Sequence, residues 1–135
     1  MIGILLMSHG EMALGTLESC KLFFGDDLPQ VKALCLMSED DPELFDQRIA
    51  DAIAEIDDGH GVIGFCDLMG GTPCNRCAIS AINDRFQVIT GMNFPMVLEF
   101  LGKRLAVEDI AEVDIEELMN VGRNGIVNIN TFFAE

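Results

Sequence analysis

Short uninterrupted apolar runs alternate along the chain with longer stretches in which apolar residues recur at helical spacing. Ile2 to Met7 is an apolar run of strand length that stops abruptly at Ser8-His9-Gly10. Ala13, Leu17, Cys20 and Phe24 then fall on one helix face, and Gly25-Asp26-Asp27 ends the pattern. Val31 to Met37 predicts a second strand. Asp41 offers a capping carboxylate and Pro42 a first helical position, followed by a buried stripe of Phe45, Ile49, Ala52, Ile53 and Ile56. Asp46, Arg48, Asp51 and Glu55 face outward, and Asp57-Asp58-Gly59 closes this helix. Gly61 to Cys66 predicts a third strand, halted at Asp67 before the loop Leu68-Met69-Gly70-Gly71. Thr72 is the predicted N-cap of a third helix, with Pro73 behind it, running to about Arg85. Phe86 to Thr90 reads as a fourth strand ended by Gly91-Met92-Asn93, and Pro95 opens a helix that carries Val97, Leu98, Leu101 and Leu105 inward.

The C-terminal part is less regular. A short helical turn is expected within Val107 to Val113, and Asp114-Ile115-Glu116-Glu117 resembles a capping box opening a helix that stops at Gly122. Ile126 to Asn130 reads Ile-Val-Asn-Ile-Asn, an apolar–polar alternation broken only at Val127 that predicts a half-exposed or edge strand. Four strand–helix repeats predict an α/β fold, a doubly wound and mostly parallel sheet. Right-handed crossovers, with a second strand that turns back beside the first, give the strand order 2-1-3-4. His9 and Asp67 then stand at the carboxyl ends of neighbouring strands, where open α/β sheets carry their sites.

Composition narrows the choices. The 135 residues are read as one domain, 1–135, and half of them are hydrophobic, enough for a sheet buried on both faces. Twenty-three acidic against 8 basic side chains give a formal charge of −15. Such a chain repels nucleic acid and anionic membranes and suits a partner with a basic face. No basic segment precedes an apolar stretch at the N-terminus and no run approaches a membrane span, so neither a signal peptide nor membrane insertion is expected. Five scattered cysteines, an odd number, point to a reducing cytoplasm.

A carboxylate beside an imidazole can accept the Nδ1 proton and leave Nε2 as the nucleophile. Gly70, Gly71 and Thr72 form a glycine turn at a helix start, and Gly10 leads into the first helix. These are two positive helix ends that would hold a phosphoryl group by backbone donors. The spacings of a nucleotide P-loop, a dinucleotide fingerprint and a serine nucleophile elbow are absent. The two histidines are far apart in sequence, and His60 lies in a Gly-His-Gly turn, which gives metal ligation poor support. The rival is Cys74-Asn75-Arg76-Cys77, a C-x-x-C at a helix start, which would make a thiol redox or metal-binding protein.

Three ordered motifs resemble the IIA proteins of the mannose-class bacterial sugar phosphotransferase system across essentially the whole chain. They are Ile2-Gly3-Ile4-Leu5-Leu6-Met7-Ser8-His9-Gly10, Asp67-Leu68-Met69-Gly70-Gly71-Thr72-Pro73-Cys74-Asn75, and Gly91-Met92-Asn93-Phe94-Pro95-Met96 with Glu99 following. The resemblance implies that His9 takes a phosphoryl group on Nε2 from the phosphocarrier HPr, with Asp67 orienting the ring, and passes it to a IIB protein. It implies partner docking around Met69 and Asn93, a homodimer that exchanges the Ile126–Asn130 strand, no cofactor, and indirect association with membrane IIC/IID subunits. No IIB segment follows in the chain, so the expected acceptor is a separate polypeptide. A phosphorylation-controlled regulatory module is the remaining alternative.

Overall fold

The computed structural model describes residues 1–134. Four parallel strands, β1 (Gly3–His9), β2 (Val31–Leu36), β3 (Val62–Cys66) and β4 (Phe86–Ile89), form one sheet in the order β2-β1-β3-β4. This is the expected order. Helices α1 (Met12–Phe24), α2 (Pro42–Ile56), α3 (Thr72–Ser80), α4 (Phe94–Lys103), α5 (Ile115–Asn124) and a short α6 (Ile129–Phe132) complete the chain, with a 3-10 turn at Ile110–Glu112. The register sets His9 against Leu36 and Met7 against Cys66, so the residues that follow β2 and β3 flank His9 at one end of the sheet.

The two central strands are buried on both faces, and their side chains alternate between two cores. Ile4, Leu6, Ile63 and Phe65 pack with α1, α4, α5 and the 3-10 turn. Leu5, Met7, Val62 and Cys66 pack with Phe45, Ile49, Ala52 and Ile56 of α2 and Cys77 of α3. Each fully buried aliphatic or aromatic side chain contributes about 1.5–3 kcal/mol, so β1 and β3 form the rigid centre to which His9 and Asp67 are attached. Local capping follows the sequence. Asp41, Asn93, Asp109 and Asp114 each accept a backbone N–H at the start of a helical segment.

Four expectations are corrected. Helix α3 ends at Ser80, well short of Arg85, because Asn83 Oδ1 accepts the backbone N–H groups of Arg85 (2.7 Å) and Phe86 (2.9 Å) and turns the chain into β4. Helix α4 ends at Lys103, which leaves Leu105 outside it and exposed rather than inward. Helix α5 continues through Gly122 to Asn124, since Gly122 packs against Met96 and a Cβ there would come within 3.1 Å of its sulfur. The segment 126–130 is not a strand in this chain. Asn128 Oδ1 accepts the Asn130 N–H at 2.9 Å and starts the single turn of α6, leaving Ile126, Ile129, Phe132 and Phe133 exposed. An edge strand needs a neighbouring edge to pair with, and β4 pairs in the sheet with β3 alone among the described residues.

Candidate functional site

His9 is the last residue of β1, and Asp67 follows the last residue of β3. The ring Nδ1 lies 2.9 Å from Asp67 Oδ2, and the His9 backbone N–H donates to the same oxygen at 2.9 Å. An ionised carboxylate only accepts, so in the neutral ring the nitrogen facing it carries the proton and the lone pair is on Nε2. The His9 side chain is 46% exposed and Asp67 only 12%. Asp67 Oδ1 is buried with no hydrogen-bond partner among the described residues. The hydrogen bonding of this carboxylate is therefore directed entirely at His9, an arrangement costly to a group whose only role is packing.

The turn that follows His9 is fixed by a residue that sequence reasoning did not assign. Ser8 is fully buried; its hydroxyl donates to Gly10 O (3.1 Å) and accepts the Ala13 N–H (2.7 Å). It thereby locks the turn at Gly10, whose φ is +59°, to the start of α1. A signal was available, because Ser8-His9-Gly10-Glu11 has the serine-x-x-glutamate spacing of a capping box. Gly10 N–H donates to Leu36 O at 2.8 Å, which continues the β1–β2 pairing past His9.

The Gly70-Gly71 turn closes over the imidazole. A Cβ on Gly71 would lie 2.5 Å from His9 Cε1 and 3.2 Å from Nε2, so only glycine admits the ring in this position. Gly70 takes φ +82°. The N-cap of α3 is Gly71, not Thr72; Thr72 is the first helical residue and is half-buried. Asn75 secures this loop through Nδ2 to Gly70 O (3.2 Å) and its N–H to Gly71 O (2.9 Å). The starts of α1 and α3 thus both stand beside His9, and the first-turn N–H groups of a helix have no intrahelical acceptor. Met69 is exposed at the loop tip, whereas the Asn93 side chain works within the fold. Its Oδ1 accepts Met96 N–H (3.1 Å) and its Nδ2 donates to Gly122 O (2.8 Å).

The other candidates separate from this site. His60 precedes β3, at the opposite end of the sheet, where its Nδ1 pairs with Asp58 at 2.8 Å and Asp58 also pairs with the N-terminal amine at 3.0 Å. Cys77 is buried with its thiol donating to Met7 Sδ at 3.1 Å. Burial pushes the Cys74 thiol up, and a hydrogen bond with Cys77 together with burial pushes Cys66 up. These shifts are opposite to those of a nucleophilic redox cysteine. No group of three or more His, Cys, Asp or Glu side chains is placed to hold a metal ion among the described residues, and no described helix is long and apolar enough to cross a membrane.

Comparison with known proteins identifies the family. The EIIA-man family, described as the PTS system fructose IIA component, matches residues 3–119. The PTS system fructose-specific EIIA component of Bacillus subtilis (strain 168) is 28% identical over 113 residues, covering 82% of this chain and 77% of that protein. The PTS system mannose-specific EIIAB component of Escherichia coli (strain K12) is 25% identical over 128 residues, covering 93% of this chain, which spans only 38% of that longer protein. The crystal structure of the PTS IIA protein associated with the fucose utilization operon from Streptococcus pneumoniae superposes with a TM-score of 0.81 at 28% identity, covering 96% of this chain and 93% of that one. The chain belongs to the EIIA-man family, the fructose- and mannose-class IIA components of the PTS sugar phosphotransferase system.

Proposed function

We propose that this IIA component is a phosphohistidine carrier, with Nε2 of His9 accepting a phosphoryl group from HPr and giving it to a IIB partner. The observation that carries this reading is the His9 Nδ1–Asp67 Oδ2 contact of 2.9 Å beneath an exposed ring. Asp67 fixes the tautomer that leaves Nε2 nucleophilic and stabilises the positive charge the ring gains as the N–P bond forms. In the transfer, the Nε2 lone pair attacks phosphorus, the bond from phosphorus to the donor's nitrogen breaks, and the donor keeps that electron pair. Transfer onward reverses these roles at the acceptor.

Backbone N–H groups at the starts of α1 and α3 suit the phosphoryl oxygens, with Gly70 and Thr72 as donors on the α3 side, while Gly10 and Gly71 shape the turns and give their own N–H groups to Leu36 O and Leu68 O. Holding by dipoles rather than by a fixed cation suits a carrier, which must release its group as readily as it accepts it. The work is cytoplasmic, with membrane subunits engaged through the acceptor. The Ile126–Asn130 segment pairs with a second copy to form a homodimer. Its exposed apolar side chains support this, as does the open groove of about 490 Å³ lined by Val88, Ile89, Met119 and Ile126 along the outer edge of β4.

The test is incubation with phosphoenolpyruvate, enzyme I and HPr. A base-stable, acid-labile phosphoryl adduct should form on the wild type and on His60→Ala but not on His9→Ala. Persistence of the adduct in His9→Ala would refute the assignment.

A further inference from the structure

The chain has eight methionines, and their exposure divides them sharply. Met7, Met92 and Met96 are buried, and Met1 and Met119 are half-buried. The three exposed ones are Met12 at 49%, Met37 at 38% and Met69 at 80%. All three lie at the end of the sheet where His9 stands. Met12 opens α1, three residues after His9; Met37 follows β2, whose Leu36 pairs in register with His9; and Met69 precedes the Gly70-Gly71 turn that touches the His9 ring. Met37 also lines an open cleft with His9 and Gly10. Leu68, 58% exposed, extends the same apolar rim.

We propose that Met12, Met37 and Met69 form an oxidisable thioether collar around His9, and that peroxide oxidation of this collar weakens seating of the phosphoryl-donor protein. This inference rests on the carrier reading and adds a regulatory modification to it. A phosphoryl group passed between two proteins must move with its donor covering Nε2, so the donor is the occupant of the collar. The exposed acids Glu11 and Glu39 beside the collar match a donor face that is apolar at its centre and basic at its margin. Unbranched thioethers adapt to an incoming surface, and oxidation makes them polar and chiral. A sulfur lone pair attacks one peroxide oxygen, the O–O bond breaks, and water leaves as the S–O bond forms. Sulfur is oxidised, peroxide is reduced, and R–S–CH₃ with H₂O₂ gives R–S(O)–CH₃ with H₂O. No thiol ionisation is needed, so the raised Cys66 and Cys74 values place no limit on it.

The experiment treats the full chain with hydrogen peroxide under conditions that leave its thermal unfolding unchanged. It maps sulfoxides by peptide mass and measures charging by the donor against donor concentration. Sulfoxides should appear first at Met12, Met37 and Met69, the apparent KM for the donor should rise about tenfold with kcat little changed, and methionine sulfoxide reductase should restore it. The variant Met12→Leu/Met37→Leu/Met69→Leu presents a rim that peroxide cannot oxidise, so its apparent KM for the donor, whatever its untreated value, should be the same before and after peroxide. Unchanged KM with all three sulfoxides present overturns the proposal and leaves the carrier reading intact, as does preferential oxidation of Met1 or Met119. Failure of the untreated chain to be charged overturns the carrier reading, and the collar's role with it.

Discussion

Replacing Gly71 by alanine isolates the contribution of ring position to transfer. The backbone at Gly71 has φ −76° and ψ 163°, which alanine adopts without strain. The added methyl group meets the His9 ring instead, at 2.5 Å from Cε1 and 3.2 Å from Nε2, with Leu68 O at 3.3 Å on its other side. Ordinary carbon contact begins near 3.4 Å, so ring and loop must separate by close to 1 Å, and a displacement of that size at a reacting group costs on the order of 10²-fold in rate. The ring is half exposed and can move into solvent, so stability should change little, by less than about 1 kcal/mol. Gly70→Ala is the matched control. Nothing lies within 4 Å of its added Cβ, but φ is +82°, so its effect is backbone strain of about 1–2 kcal/mol rather than a clash with His9. The assay is the initial rate of charging by HPr, paired with thermal unfolding. Gly71→Ala should lose about two orders of magnitude in rate at near-native Tm, and Gly70→Ala should lower Tm with a smaller loss of rate. A Gly71→Ala protein that charges at the wild-type rate would refute the argument that the turn positions Nε2.

Further outcomes follow from the same contacts. Asp67→Ala should fold and yet charge about 10²-fold more slowly, since the ring loses its tautomer-fixing partner; unchanged rates would remove the orienting role. Ser8→Ala leaves the Ala13 N–H at the buried start of α1 without its acceptor, and should cost about 1–2 kcal/mol in unfolding free energy, measured by urea titration. A hydrogen bond from His60 holds the Asp58 carboxyl, and one from Arg85 the Asp109 carboxyl, well below the usual carboxylate range. Depressed carboxylates stabilise the fold above their unfolded pKa, near 3.9, and lose that effect as pH falls through the folded value. Tm should therefore hold steady above about pH 5 and drop below about pH 4, and Asp109→Asn should flatten the drop. Truncation after Gly125 should convert a dimer in sedimentation experiments to a monomer, and a wild type that sediments as a monomer would contradict strand exchange.

The site was legible in sequence where backbone and chemistry agree. The apolar runs ending at His9 and Asp67, with the strand order implied by right-handed crossovers, were enough to bring the imidazole and carboxylate together. The Ser8-x-x-Glu11 spacing pointed to a cap at Ser8 but not to the bond Ser8 makes, which reaches five residues forward to Ala13. The steric role of Gly71 was also out of reach, since it arises between two loops from different strands. Asn93 was assigned to docking by resemblance, while its side chain caps α4 and ties it to α5. The Ile126–Asn130 pattern predicted a strand that the chain does not form, because Asn128 Oδ1 accepts the Asn130 N–H and turns the backbone into α6. In the same way Cys74-x-x-Cys77 has the spacing of a redox pair, and only the structure shows Cys77 buried against Met7 and the Cys74 thiol pushed up by burial.

The central claim is that Asp67 holds Nδ1 and leaves Nε2 to carry the phosphoryl group. Nitrogen NMR of the chain labelled with ¹⁵N-histidine, recorded before and after charging with phosphoenolpyruvate, enzyme I and HPr, reads both ring nitrogens directly. The account predicts a phosphorus-coupled signal on Nε2 of His9, a retained proton on its Nδ1, and no change at His60. Phosphorus coupled to Nδ1 of His9, or to either nitrogen of His60, would contradict it.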